Sequence, residues 1–174
     1  PIPYNNRTEY LQMKLSEVTQ PQCSPDLKEY LMDLKILDRA TLSPSGMLIV
    51  RGDVYIPVGA HSLKFPFESV GGDFDCSHTN ITSLQGIPLH VGRSLYLSGS
   101  KITSLEGIHK THRNWKIGKI LDLPANCADI VGLALIEGIN RVWINNITFD
   151  ISDHDPHTFQ EKLIDAGMRA QARM

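Results

Sequence analysis

The sequence has few cysteines and no long hydrophobic run. Its three cysteines, Cys23, Cys76 and Cys127, are an odd number at wide spacings, which argues against both a disulfide framework and a CxxC-type metal site. A reducing compartment fits this pattern, and we expect a cytoplasmic protein. No stretch approaches the roughly 18 apolar residues of a membrane span. The opening residues also lack the basic start and apolar run of a secretory signal, so we expect no membrane partner.

The sequence also has almost no net charge. The formal net charge is -2 at pH 7, with 21% charged residues, and this balance lacks the basic excess that binds nucleic acid. The GxSxG, HExxH, Walker and CxxC patterns are missing, as is a dinucleotide-binding GxGxxG. We therefore predict a protein that is not an enzyme and that carries no cofactor or metal. Cys76 is expected to be an inert core thiol.

Internal repetition is the strongest positive signal. Residues 81–87, ITSLQGI, recur as ITSLEGI at 102–108, a shift of 21 residues, and IEGI follows at 136–139. Fixed self-similarity at this period is typical of a solenoid. Gly86 and Gly107 stand where each repeat needs a tight turn.

A second block precedes each repeat and predicts a strand. The blocks RGDVYI, GGDFDC, GRSLYL, HRNWKI and INRVWI start 20, 21, 20 and 27 residues apart. Each ends in an apolar-x-apolar triplet, the period-two pattern of a half-buried strand. Five short parallel strands in one sheet are predicted, with these side chains pointing inward: Val54/Ile56, Phe74/Cys76, Leu95/Leu97, Trp115/Ile117 and Val142/Ile144.

These repeats resemble degenerate leucine-rich repeats. Leu95-x-Leu97-x-x-Ser100-x-Ile102 is similar to the family pattern L-x-L-x-x-N-x-L. The resemblance covers roughly residues 46–149 and implies a right-handed α/β solenoid of the kind found in bacterial and bacteriophage proteins. The asparagine of the pattern is replaced throughout, so a straighter, β-helix-like stack is an alternative to a curved horseshoe. The replacing residues are Gly59, Thr79, Ser100, Ile120 and Ile147.

The two ends of the chain look helical and are predicted to cap the array. Residues 1–45 form the N-terminal cap, with helical patterns over 8–18 and 25–37, and Ser24 is the expected N-cap of the second. Residues 46–149 form the solenoid, with a short helix over 128–136. Residues 150–174 form the C-terminal cap, whose helix starts at Asp155-Pro156. Such helices cover the open ends of a repeat array.

Outward side chains of the five strands define the candidate interface. Because neighbours along a strand alternate between faces, one sheet face would grade from acidic to basic, with large side chains along its middle. Exposed Tyr, Trp and Arg residues most often anchor interfaces, although a stabilising cross-strand ladder is the alternative. The predicted function is a protein-interaction module that modulates or scaffolds another protein through these residues: Tyr55, Asp75, Tyr96, Lys116, Arg141 and Trp143.

Two other functions stay open. A metal-dependent hydrolase would use the Asp150–His157 cluster, since histidines and carboxylates can hold a divalent ion that activates water. N-capping explains Asp155 more simply. His109 and His112 form a second cluster, which reads as a solvated turn or a contact for an acidic partner. A structural subunit of a larger assembly, such as a virion, would instead use the helical ends.

Overall fold

Strands that are only two to four residues long must stack on one another to bury their apolar side chains. The computed structural model describes residues 24–173 and shows a β-solenoid of about five turns. Its helices α1, α2 and α3 span Pro25–Asp33, Ile108–Thr111 and Pro156–Asp165, and a 3-10 helix spans Val131–Leu135. Strands β1 to β11 span Ala40–Leu42, Leu48–Val50, Val54–Tyr55, Phe67–Val70, Phe74–Asp75, His90–Val91, Leu95–Tyr96, Lys116–Ile117, Leu121–Asp122, Arg141–Ile144 and Ile147–Asp150.

The coils build two sheets where the sequence predicted one. The first sheet has the order β1-β2-β4-β6-β8, and the second has the order β11-β10-β9-β7-β5-β3. Pairing is parallel from coil to coil, and only β1 with β2 and β10 with β11 are antiparallel. A bridge from Ile117 to Ile139 extends the first sheet into the last coil.

The structure corrects the fourth predicted strand. Residues 115–117 do not continue the second sheet, because Lys116 and Ile117 form β8 of the first sheet beside β6. Strand β9 takes the fourth place instead and pairs with β7 and β10. Trp115 and Ile117 are nevertheless buried, at 0% and 3% exposure. Both sheets face the same interior. An alternating apolar pattern therefore predicts that a side chain is buried, but not to which of the two sheets its strand belongs.

One apolar core runs through the stack from α1 to α3. All ten apolar members of the predicted triplets are buried, Cys76 among them, as expected. Burial raises the pKa of the Cys76 thiol far above its usual value, so this thiol stays protonated and unreactive. Of the repeat side chains, Ile81 and Ile87 are buried and Leu84 is partly buried.

The residues in the asparagine position satisfy the turn unevenly. Thr79 Oγ1 donates to the Cys76 carbonyl at 2.8 Å, which replaces part of the bonding that asparagine would supply. The buried Ser100 hydroxyl finds no partner among the described residues. Ile120 was placed in this position wrongly, since it directly precedes β9.

A column of glycines forms the corner between the two sheets. The N–H groups of Gly71, Gly92 and Gly118 donate to the carbonyls of Val50, Val70 and Val91 in the preceding coils. A Cβ on Gly92 would lie 2.2 Å from the Gly71 carbonyl oxygen, and one on Gly118 would lie 2.1 Å from the Gly92 oxygen. No side chain can occupy positions 92 and 118 while the coils keep their spacing.

Helices lie at both ends of the described chain, and their lengths differ from the predicted ones. Ser24 Oγ caps α1 by accepting from the Leu27 N–H at 3.2 Å, and α1 ends at Asp33. Asp155 caps α3, and the short helix expected over 128–136 is the 3-10 helix. The predicted helix over 8–18 lies outside the described residues. Within 24–173, no helix is long and apolar enough to cross a membrane.

We expect Gly92→Ala to lower the free energy of unfolding by about 1–3 kcal/mol, because overpacking forces the backbones of two coils apart. Chemical denaturation followed by circular dichroism measures this change.

Gly71→Ala is the matched control from the same column. A Cβ there would meet its nearest atom, the Gly52 nitrogen, at 3.4 Å, so we expect a loss of roughly 1 kcal/mol or less. Equal losses for the two variants would contradict the close approach at Gly92.

Candidate interaction surface

The outer face of the second sheet carries a row in which aromatic and acidic residues alternate. Parallel pairing between neighbouring coils places five residues in register across the sheet. We call this set the aromatic–acidic row, and in order it consists of Tyr55, Asp75, Tyr96, Asp122 and Trp143. Its members come from five different coils, so only the stacking of coils brings them together.

Lys116 does not belong to this row, although the sequence placed it there. It lies in β8 and pairs with His90 of the first sheet, and Asp122 of β9 occupies its expected place. The reason is the spacing of the fourth coil, where Leu121 follows Leu95 after 26 residues rather than 20. An acid thus replaces a base on this face.

Asp122 was missed by the sequence reasoning, but a signal for it exists. Ile117-Gly118 repeats the Val91-Gly92 corner that precedes β7 by a few residues. Aligning these corners would have placed Leu121 beside Leu95 and therefore Asp122 beside Tyr96.

Exposure varies strongly along the row. Tyr55 at its first position is 59% exposed, whereas Asp122 is 3% exposed although it lies on the outer face. Asp75, Tyr96 and Trp143 are half-buried. By register, Tyr96 and Trp143 flank Asp122 on its two sides, so bulky aromatic neighbours accompany the one carboxylate that is shielded from water.

The Asp122 carboxylate is only partly satisfied. Its Oδ2 accepts a hydrogen bond from Ser98 Oγ at 2.7 Å, while its buried Oδ1 accepts none from any residue in 24–173. Burial raises the pKa of Asp122 to about 6, with the nearby Asp75 charge adding to the effect and the Ser98 bond and His78 opposing it. Burial of the ionised Asp122 carboxylate with one unsatisfied oxygen therefore lowers the stability of the folded protein.

Asp53 and Asp73, on the same face, have structural partners. Asp53 Oδ1 accepts from the Asp73 N–H at 2.8 Å, and Asp73 Oδ1 accepts from the Ser94 N–H at 2.9 Å. Arg93 lies 3.5 Å from Asp73 and 3.9 Å from Asp53. These two carboxylates join successive coils.

Asp75 and Arg141, two of the predicted contact residues, differ in their ionic surroundings. Asp75 Oδ1 accepts from its own turn, with the Ser77 N–H at 2.8 Å, and forms no salt bridge within residues 24–173. Arg141 is exposed at the end of the sheet and pairs in register with Asp150.

The Asp150–His157 cluster is occupied by local bonds. Asp155 accepts from the His157 N–H at 3.0 Å and from Thr158 Oγ1 at 2.6 Å, as an N-cap does. Asp153 lies 3.6 Å from Lys162. Among residues 24–173, no group of three or more His, Cys, Asp or Glu side chains is placed to hold a metal ion.

The His109 and His112 pair is part of the coil packing. His112 lies against Trp115 with ring centroids 5.2 Å apart, and burial lowers its pKa. His109 packs over Gly132, where an added Cβ would come within 2.9 Å of the His109 Nδ1. Neither ring is a freely solvated group.

The buried carboxyl predicts a pH dependence of stability. Because the folded pKa of Asp122 is about 6 and its ordinary value is 3.8, the folded protein holds this proton more tightly than the unfolded chain. The resulting stabilisation is complete below about pH 4 and is lost as the pH rises through about 6. Relative to Asp122→Asn, the wild-type free energy of unfolding should fall by up to about 3 kcal/mol across this range.

Denaturation at a series of pH values measures this difference, and Asp38→Asn, which removes an exposed carboxylate outside the sheets, should retain the wild-type slope. Parallel pH profiles for wild type and Asp122→Asn would contradict the burial of this acid.

Comparison with known proteins returns no match for this chain: no family model, no curated protein and no solved structure matches it.

Proposed function

We propose that this protein is an interaction module that binds another protein through the outer face of its second sheet, and thereby modulates or scaffolds that protein. The observation that carries the proposal is the aromatic–acidic row. Three large aromatic side chains lie on one continuous surface, where Tyr55 is exposed and Tyr96 and Trp143 are partly exposed. Aromatic side chains of this kind are enriched at protein interfaces.

The surface is also rigid, which favours binding. Backbone hydrogen bonds between coils fix every strand of the sheet, for example Cys76 N–H to the Tyr96 carbonyl at 2.9 Å and Leu97 N–H to the Asp122 carbonyl at 2.8 Å. A preorganised surface loses little conformational entropy when a partner binds. Tyr55, in the edge strand β3, is 59% exposed and can contact a partner directly.

The coils themselves are proposed to be degenerate leucine-rich repeats of the bacterial and bacteriophage kind, wound in a right-handed sense. In support, the pattern positions Leu95, Leu97, Ile102 and Leu105 are all buried. A cytoplasmic location is proposed with it, and the free, buried thiols of Cys76 and Cys127 support this.

The two other functions have weaker support. A hydrolase would need the Asp150–His157 carboxylates, which already cap α3 or bind neighbouring groups. A structural subunit would use the helical ends, where Met32 and Ile164 are exposed, but single exposed apolar residues are ordinary on protein surfaces.

The double variant Tyr96→Ala/Trp143→Ala should lose the partner that the wild-type protein captures. The test is affinity capture from the cells that make the protein, followed by mass spectrometry and by binding measurements with the purified partner. We expect affinity to fall at least 30-fold, since interface anchors often contribute about 2 kcal/mol or more each.

Lys116→Glu is the matched control, because Lys116 is exposed on the first sheet and lies outside the row. It should bind the same partner with unchanged affinity. The proposal fails if the folded double variant, checked by circular dichroism, binds this partner as tightly as wild type does.

A further inference from the structure

The aromatic–acidic row contains one more carboxylate, and one fewer basic residue, than the sequence predicted. Asp122, rather than the expected Lys116, lies at the fourth position of the row, so this position carries a carboxylate in place of an ammonium group. Asp53 and Asp73 are paired with Arg93. Asp75 and Asp122 form no salt bridge with any residue in 24–173. Two carboxylates that form no salt bridge within that range therefore flank Tyr96 in the register of the sheet.

We propose that the partner presents arginine or lysine side chains, and that the row receives them against Tyr96 between Asp75 and Asp122. This inference rests on the proposed function and specifies the chemistry of its partner. An aromatic face attracts a cation through its quadrupole, and a carboxylate on either side adds charge-assisted hydrogen bonds.

The spacing of the row indicates how a basic segment would lie on it. Asp75 and Asp122 stand two coils apart with Tyr96 between them, which corresponds to about 10 Å at the usual strand separation of about 4.8 Å. A polyproline II chain has three residues per turn and advances about 3.1 Å per residue, so side chains three positions apart share one face and are about 9 Å apart. Basic residues three positions apart on such a chain would therefore match this spacing.

Asp122 provides an independent argument for a missing donor. This side chain is 3% exposed, and its Oδ1 has no hydrogen-bond partner within the described chain. An unsatisfied buried oxygen is unfavourable. A guanidinium or ammonium group from a partner would supply the absent donor when the side chains that cover this oxygen change rotamer on binding, as interface side chains commonly do. The missing hydrogen-bond donor at Asp122 and the absence, among the described residues, of a salt bridge at Asp75 and Asp122 therefore both favour a cationic group from the partner.

The same charge argues against phosphate-bearing partners. Two carboxylates that form no salt bridge within the described chain favour a cationic over an anionic group at the position of Tyr96. A basic protein segment is the occupant that fits both the aromatic and the acidic members of the row.

The test uses two short peptides of matched length, acetyl-Gly-Arg-Gly-Gly-Arg-Gly-amide and its analogue with glutamate in place of arginine. Each is titrated into the isotope-labelled full chain at low ionic strength, and backbone amide shifts of Asp75, Tyr96, Asp122 and Trp143 are followed by NMR. We expect saturable shifts at these residues with the arginine peptide and none with the glutamate peptide.

Variants then assign the binding to the row. Asp75→Asn and Asp122→Asn should each weaken binding of the arginine peptide by roughly fivefold. Tyr96→Leu should weaken it while keeping an apolar side chain. Asp38→Asn, which removes one exposed carboxylate outside the sheets, should leave the affinity unchanged.

The outcomes separate this inference from the proposed function. Equal affinity of the arginine peptide for wild type and both aspartate variants, or no binding to wild type, overturns the basic partner. If capture of the natural partner still depends on Tyr96 and Trp143 in that case, the interaction surface remains and only its chemistry changes.

Discussion

The stacking of one coil on the next is the interaction on which everything else in this protein depends. Each coil places its apolar side chains inside and donates backbone hydrogen bonds to its neighbour, as Val54, Phe74 and Leu95 do through their N–H groups. A single strand of two residues has too little contact to be stable alone, so burial and hydrogen bonding become favourable only across several coils. This stacking requires glycine at positions 92 and 118. The carbonyl oxygen of the preceding coil comes so close there that a Cβ would clash with it.

The same stacking creates the surface. Residues that are about 20 positions apart in the chain become neighbours when their strands pair, and an outward residue of an inner strand gains a counterpart on each side. A repeated pattern therefore produces continuous rows, and a departure in one coil changes one member of a row. The longer fourth coil does this: it inserts β9 at the place where a strict repeat would have put Lys116.

Asp122 shows how such a departure changes the environment and the pKa of one side chain. On an isolated strand this carboxylate would be solvated, but between Tyr96 and Trp143 it is withdrawn from water with one oxygen unsatisfied. Its raised pKa follows from that environment rather than from its residue type. Groups with strongly shifted pKa values occur at functional sites more often than elsewhere, whereas the Asp155 carboxylate is accounted for by its hydrogen bonds at the start of α3.

The sequence by itself determined the repeat, the inward side chains and the caps, because each rests on local rules: alternation along a strand, periodicity of coils, and an oxygen-bearing residue before a proline at a helix start, as at Ser24 and Asp155. It also found four of the five members of the row. Only the tertiary structure decided that there are two sheets, that Trp115 and Ile117 belong to the first, and that Asp122 lies beside Tyr96. An apolar-x-apolar triplet reports that a side chain is buried, and both sheets share one interior, so the choice between them depends on backbone pairing with other coils, which no local pattern contains.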